Sequence, residues 1–185
     1  KHLDRVRSLA HISTKAKVMS INNFPSSTGL SSSASGFAAL TVAASSAAGL
    51  QLNTKDLSIL TRQGSGSSCR SIPDGFAEWV NGNTSETSYA RSIFPADYWN
   101  LIDIVAIVSN EKKNISSTGG HQRVHTSPFM ATRLQLINRK ISLCKELIKK
   151  RNFSEFGELI EGEALELHAI MLTSRPSLIY WLPTT

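Results

Sequence analysis

Apolar positions along the chain change their spacing several times, and each change predicts an element. Leu3, Val6 and Leu9 recur every third residue and predict one face of a short helix. Ala16, Val18, Ser20 and Asn22 then alternate with Lys17, Met19 and Ile21, the period-two pattern of a strand. Phe37, Leu40, Ala44 and Ala48 predict a helical stripe ending near Gly49, a residue suited to the left-handed turn that stops helices. Leu57, Ile59 and Leu60 predict a second short helix, opened by Asn53 or Thr54 and closed at Gly64. Phe76–Val80 predicts a strand, and the run LIDIVAIV from Leu101 to Val108 predicts a buried one. Two longer helices follow. Met130, Leu134, Ile137, Ile141, Cys144 and Ile148 place the first from Pro128 to about Lys150, with Ser127 as its start signal. Phe156, Ile160, Ala164, Leu167 and Met171 are the expected buried face of the second, about Ser154 to Thr173.

Between these elements lie loops of small polar residues. The stretch PSSTGLSSSASGFAAL, Pro25 to Leu40, runs a Gly/Ser loop straight into an Ala-rich helix. Gly29 permits a tight turn, and Ser31, Ser32 and Ser33 place hydroxyls beside the free N–H groups of the first helical turn, a setting that attracts phosphate. An ordinary serine N-cap is the alternative reading. The loop is neither a Walker A sequence nor a dinucleotide fingerprint, because both the Gly-Lys-Ser/Thr and the GxGxxG spacings are missing. RQGSGSSCRSIPDGFAEWV, Arg62 to Val80, is a second flexible ligand loop, in which Arg70 can grip a carboxylate or phosphate through two parallel hydrogen bonds or close a structural salt bridge. In NEKKNISSTGGHQRVHTSPF, Ser116, Ser117 and Thr118 can cap a helix or contact phosphate.

Composition narrows the picture. With 185 residues, 41% hydrophobic and 18% charged, the chain can bury a core as one large or two small domains. No apolar run reaches the roughly 20 residues of a membrane span, and the first 20 residues lack a signal-peptide core, so a cytoplasmic location is expected. The net charge of +6 suits an anionic small molecule, while the cluster Lys149, Lys150, Arg151 reads as a solvated helix end. Cys69 and Cys144 have no metal-ligand spacing and are expected as reduced thiols. His121 and His125 lie four apart without an HExxH motif or nearby acid, so no metal site is expected, and His168 is expected as a structural imidazole.

The order and content of the three loops resemble diphosphomevalonate decarboxylases of the GHMP kinase superfamily. NNFPSSTGLSSSASGFAAL is similar to that family's phosphate loop and helix, RQGSGSSCRS to its substrate loop, and KKNISSTGGHQRVHTSPF to its Ser-Ser-Thr motif. The resemblance spans nearly all of the chain and implies an α/β (α+β two-layer) fold. A βαβ-containing ATP and substrate domain would occupy residues 1–100 and a ferredoxin-like domain residues 101–185, both incomplete. It further implies ATP and Mg²⁺ as cofactors, mevalonate 5-diphosphate as substrate, isopentenyl diphosphate as product and no nucleic-acid or membrane partner; a homodimer is among the assemblies it allows. By similarity, Gly29, Ser31, Ser32 and Ser33 hold ATP phosphates, Ser65 and Ser67 hold substrate oxygens, Arg70 orients the departing carboxylate, and Ser116 and Ser117 bind the substrate's diphosphate or help bring the γ-phosphate to it. The family's Ile-Lys-Tyr-Trp-Gly-Lys-like and Asp-Ala-Gly-Pro-Asn-like motifs have no counterpart among the 185 residues, so this stretch by itself is expected to bind anions without turnover. Asp74 stands in IPDG where relatives more often carry Phe-Gly-Gly. The alternatives are a decarboxylase or kinase of another mevalonate phosphate, and a non-catalytic anion-binding fragment.

Overall fold

Strands Phe76–Val80 (β1) and Tyr89–Phe94 (β2) pair antiparallel, with Glu78 opposite Arg91 and Trp79 opposite Ala90, and a register irregularity falls between Phe76 and Ala77. They belong to a computed structural model that describes residues 1–24, 30–106, 108, 120 and 122–183. Two cross-strand contacts fix the pairing: the Phe76 and Phe94 rings meet edge to face at 6.4 Å, and Arg91 donates to Glu78 at 3.0 Å. Gly75 enters the hairpin at φ +73°, a conformation that a side chain would strain.

The chain divides into two compact units, residues 1–100 and 101–185. In the first, helices His2–Ala10 (α1), Ser32–Ala47 (α2) and Thr54–Gly64 (α3) and the 3-10 helix Gly66–Ser71 accompany the hairpin. Asn53 caps α3 by accepting from the Asp56 N–H at 2.9 Å, and Gly49 takes φ +74° after α2, as their sequence positions predict. The core of this unit is small: Val6, Ala34, Ala38, Leu60, Cys69 and Ala90 are its buried apolar residues. His2 docks α1 on α2. Thr41 Oγ1 donates to the Phe37 carbonyl at 2.7 Å and must therefore accept from His2 Nε2, 2.8 Å away; burial pushes the His2 imidazole pKa down.

The stripe expected on α2 is rotated. Phe37, Leu40, Ala44 and Ala48 are half-buried, while Ala34, Ala38, Thr41 and Ser45 are fully buried, because the helix turns its small residues toward close neighbours. The strand expected over residues 16–22 is irregular and exposed, with Ile21 94% accessible. The buried strand expected at Leu101–Val108 is likewise absent from 101–106 and 108, and Ile102 and Ile104 are 79% and 87% accessible. A strand exists through its neighbour's hydrogen bonds. Among the described residues the hairpin is the sheet, and neither segment has a strand to pair with.

In the second unit, helices Met130–Lys150 (α4) and Phe153–Thr173 (α5) run past each other from a 3-10 turn at Val124–Thr126. Ser127 marks the start of α4: its hydroxyl accepts from the Phe129 N–H at 3.3 Å and pairs with Thr173 Oγ1 at 2.7 Å. Val124, Ile170, Met171 and Leu178 form the core, with Met130 and Tyr180 against it. The His168 ring lies against Trp181 at 4.2 Å, tilted by 32°, and burial lowers its pKa. Five of the residues expected on the buried helix faces, Leu134, Ile141, Ile160, Ala164 and Leu167, are instead exposed. The interface between α4 and α5 is held by charge. Arg133 reaches Glu163 at 2.7 Å and Glu166 at 3.3 Å, and Lys140 lies 2.6 Å from Glu163 and also contacts Glu166. Burial works to raise the Glu163 pKa, but the contacts with Lys140 and Arg133 outweigh it and hold the carboxyl below its ordinary value. The folded state therefore holds its proton less tightly than the unfolded chain. The stabilisation, on the order of 1 kcal/mol for a partly exposed network, is present above the ordinary glutamate pKa of about 4.5 and is lost as pH falls through the folded value. Acid titration of helix content should show this loss, and Glu163→Gln should flatten it; an unchanged acid limb contradicts the assignment.

Candidate phosphate and carboxylate site

The two serine loops of the first unit sit on adjacent elements. A shallow groove of about 480 Å³ runs between α2 and the 3-10 helix, lined by Ser35, Ala38, Ala39, Val42, Ala43, Ser71 and Ile72. In the loops and on α3 beside them, the serines divide into two groups. Ser35, Ser58 and Ser68 spend their hydroxyls on the protein: Ser35 donates to Ser32 O at 3.1 Å, Ser58 to Cys69 O at 3.1 Å, and Ser68 to Thr61 O at 3.1 Å and also to Ser65 O. The hydroxyls of Ser31, Ser32, Ser33, Ser65 and Ser67 make no hydrogen bond to another described residue.

Ser31 stands at the N-cap of α2 in the left-handed region, φ 57°, and its side chain does not cap the helix. The first turn carries no acidic residue. The Ala34 N–H already donates to Ser31 O at 2.8 Å, while the Ser32 and Ser33 N–H groups and the Ser31 and Ser33 hydroxyls have no partner among the described residues, and nothing negative in that turn opposes an anion. Gly29, Ser116 and Ser117, together with Thr118 and His121, lie outside the described residues. Magnesium ordinarily keeps several waters and rides on nucleotide phosphates. Among the described residues no group of three or more His, Cys, Asp or Glu could hold a metal ion by itself.

Arg70 ends the polar part of the second loop. Its side chain is exposed, and among the described residues no carboxylate pairs with it, so the salt-bridge alternative finds no partner there. Its neighbour Cys69 is fully buried, and burial pushes that thiol up even though Arg70 and Arg62 pull the other way, which favours the protonated thiol. Asp74 is exposed just before Gly75.

Sequence reasoning missed the frame behind this arginine. Arg62 donates to Ser88 O at 2.9 Å, to Ser85 O at 3.0 Å and to Ser85 Oγ at 2.8 Å, tying the end of α3 to the hairpin loop. Trp79 Nε1 donates to Ser88 Oγ at 3.0 Å, and its ring lies beside Gly66, where an added Cβ would meet Cη2 at 3.4 Å. A faint signal was present: Ser58 and Thr61 sit beside Leu57 and Leu60 on α3, polar residues on a face that is otherwise apolar.

A small-residue loop opening a helix beside a second serine loop, on an α/β frame, is the arrangement of a GHMP-kinase-like protein, and comparison with known proteins agrees. Residues 1–90 match the family model "Diphosphomevalonate decarboxylase-like N-terminal domain", and residues 103–184 match "Mevalonate 5-diphosphate decarboxylase C-terminal domain". A diphosphomevalonate decarboxylase from Ganoderma lucidum is 37% identical over 183 residues, which are 96% of this chain and 46% of the relative. A solved structure of MDDEF in complex with MVAPP, AMPPCP and magnesium is 40% identical, with a TM-score of 0.86 over 98% of this chain and 56% of the other. A mevalonate diphosphate decarboxylase from Enterococcus faecalis, solved in a study of mevalonate diphosphate mediated ATP binding, is 40% identical with a TM-score of 0.83 over the same shares. The chain belongs to the diphosphomevalonate decarboxylase family. It spans about half the length of the curated relatives it matches. No helix among the described residues is long and apolar enough to cross a membrane.

Proposed function

We propose that the complete gene product decarboxylates mevalonate 5-diphosphate to isopentenyl diphosphate at the expense of ATP, as a cytoplasmic enzyme acting on small molecules. The observation that carries this reading is Arg70, an exposed guanidinium without a carboxylate partner among the described residues, set on a fully buried hydrogen-bonded frame in a chain of this family. A nucleotide bound with Mg²⁺ supplies the phosphoryl group that turns the substrate's tertiary hydroxyl into a leaving group. The residues of this chain then bind and orient. Arg70 holds the carboxylate through two parallel hydrogen bonds, so that the electrons of the breaking carbon–carbon bond flow into the carbon that loses phosphate. Ser65 and Ser67 offer hydroxyls to substrate oxygens, and Ser116 and Ser117 to its diphosphate. Gly29, Ser31, Ser32 and Ser33, with the first turn of α2, receive the nucleotide phosphates. Asp74 beside that loop adds a negative charge and bears on which mevalonate phosphate is preferred.

Ser33→Ala tests the nucleotide half of this assignment. Alanine is a good helix former, and Ser33 is exposed, so the melting temperature should stay within a degree or two while KM for ATP rises about tenfold. A fall in melting temperature with an unchanged KM for ATP assigns Ser33 to the helix instead.

A further inference from the structure

We propose that Ser58 is a positioning residue for Arg70, and through it for the substrate carboxylate; the inference rests on the reading of Arg70 given above. Ser58 is completely buried on α3. A serine in a helix commonly returns its hydroxyl to the carbonyl four residues back, as Thr61 does to Leu57 O at 2.7 Å. Ser58 Oγ instead leaves its helix. It donates to Cys69 O at 3.1 Å and accepts from the Ala90 N–H at 2.8 Å, so one hydroxyl joins α3, the 3-10 helix and β2.

The Cys69 carbonyl belongs to the peptide unit whose nitrogen is that of Arg70. That unit is planar and stiff, so fixing its oxygen fixes the plane from which the Arg70 backbone departs. The residue before it is held from the same helix, since Ser68 Oγ donates to Thr61 O at 3.1 Å. The far side of the bridge is held as well. Ala90 is 1% accessible and pairs with Trp79 across the hairpin, while Arg62 clamps the loop that leads into β2 through Ser85 and Ser88. The Cys69–Arg70 peptide is thus tied through one hydroxyl to α3 and β2, while Arg70 itself stays exposed. Filling space alone would call for alanine. A buried hydroxyl with both its donor and its acceptor capacity used is suited to holding a geometry.

The test compares two ligands in the complete gene product. Mevalonate 5-diphosphate carries the carboxylate, and isopentenyl diphosphate lacks it. Calorimetric titration of Arg70→Ala should weaken the first by about 30-fold and the second by less than about 2-fold. Ser58→Ala should weaken the first by about 10-fold, leave the second within about 2-fold, and keep a stoichiometry near one. Equal loss for both ligands, or no loss for either, overturns the proposal, because a merely structural serine does not distinguish them. Should Ser58→Ala fail to fold, Ser58→Cys keeps the volume and weakens the bonds; it should cost about 3-fold for mevalonate 5-diphosphate alone, and wild-type binding of both ligands overturns the proposal. Arg70→Ala that weakens both ligands equally instead overturns the reading of Arg70, an outcome the Ser58 variants by themselves cannot mimic.

Discussion

Replacing Arg70 by alanine in the complete gene product should lower turnover of mevalonate 5-diphosphate by about 100-fold or more, equivalent to about 2.7 kcal/mol of lost transition-state stabilisation. The size follows from what the side chain is free to do. No carboxylate among the described residues neutralises it, so its removal strands no charge among them, and the expected cost falls on the substrate rather than on the fold. Arg70→Lys should recover part of the loss through charge while failing to restore the two-pronged geometry. Steady-state kinetics beside a melting curve will separate the effects: an Arg70→Ala enzyme with wild-type turnover returns this residue to a structural role.

The largest expected effect on stability lies five residues on. Gly75 turns the chain into β1 at φ +73°, and a Cβ built there collides with the Phe94 carbonyl oxygen, with Pro95 C at 2.7 Å and with Ala96 N at 2.8 Å. All three are backbone atoms, which cannot swing aside as a side-chain tip would. Left-handed strain of about 1–2 kcal/mol adds to that overlap, so Gly75→Ala should cost at least about 3 kcal/mol. Denaturant titration of the complete gene product should show the midpoint falling and the hairpin's protection from hydrogen exchange lost first. A variant as stable as the parent would mean that β1 and β2 tolerate another register at the irregularity beside Phe76.

How much of this could be read beforehand depends on how far each feature reaches along the chain. Asn53, Gly49 and Gly64 announce helix ends within three or four residues, and α3 begins and ends where they predict. Phe76–Val80 also falls on its predicted residues, since its partner returns within one short loop. The alternation over residues 16–22 and the apolar run at Leu101–Val108 are equally visible, but a pattern cannot supply a neighbouring strand, and both segments are irregular where described. The α2 stripe was displaced because Ala34 and Ala38, being small, approach their neighbours more closely than Phe37 or Leu40 can. In the site, the residues proposed to meet ligands advertise themselves as Gly/Ser loops and one arginine. The frame that holds the arginine does not: Ser58 reaches 11 residues ahead to Cys69 and 32 ahead to Ala90, and Arg62 reaches 26 ahead to Ser88. Such pairings are set by topology, and one sequence carries no mark of them beyond polar residues on an otherwise apolar helix face.

The central claim, that this family member activates a tertiary alcohol by phosphorylation before losing its carboxylate, is tested most directly by following labelled CO2 from carboxyl-labelled mevalonate 5-diphosphate with the complete gene product. Release should require ATP and Mg²⁺ together, with one phosphate and one ADP formed for each CO2, because the hydroxyl cannot leave unaided. CO2 released at the same rate without ATP, or ATP consumed with no CO2 released, would contradict it.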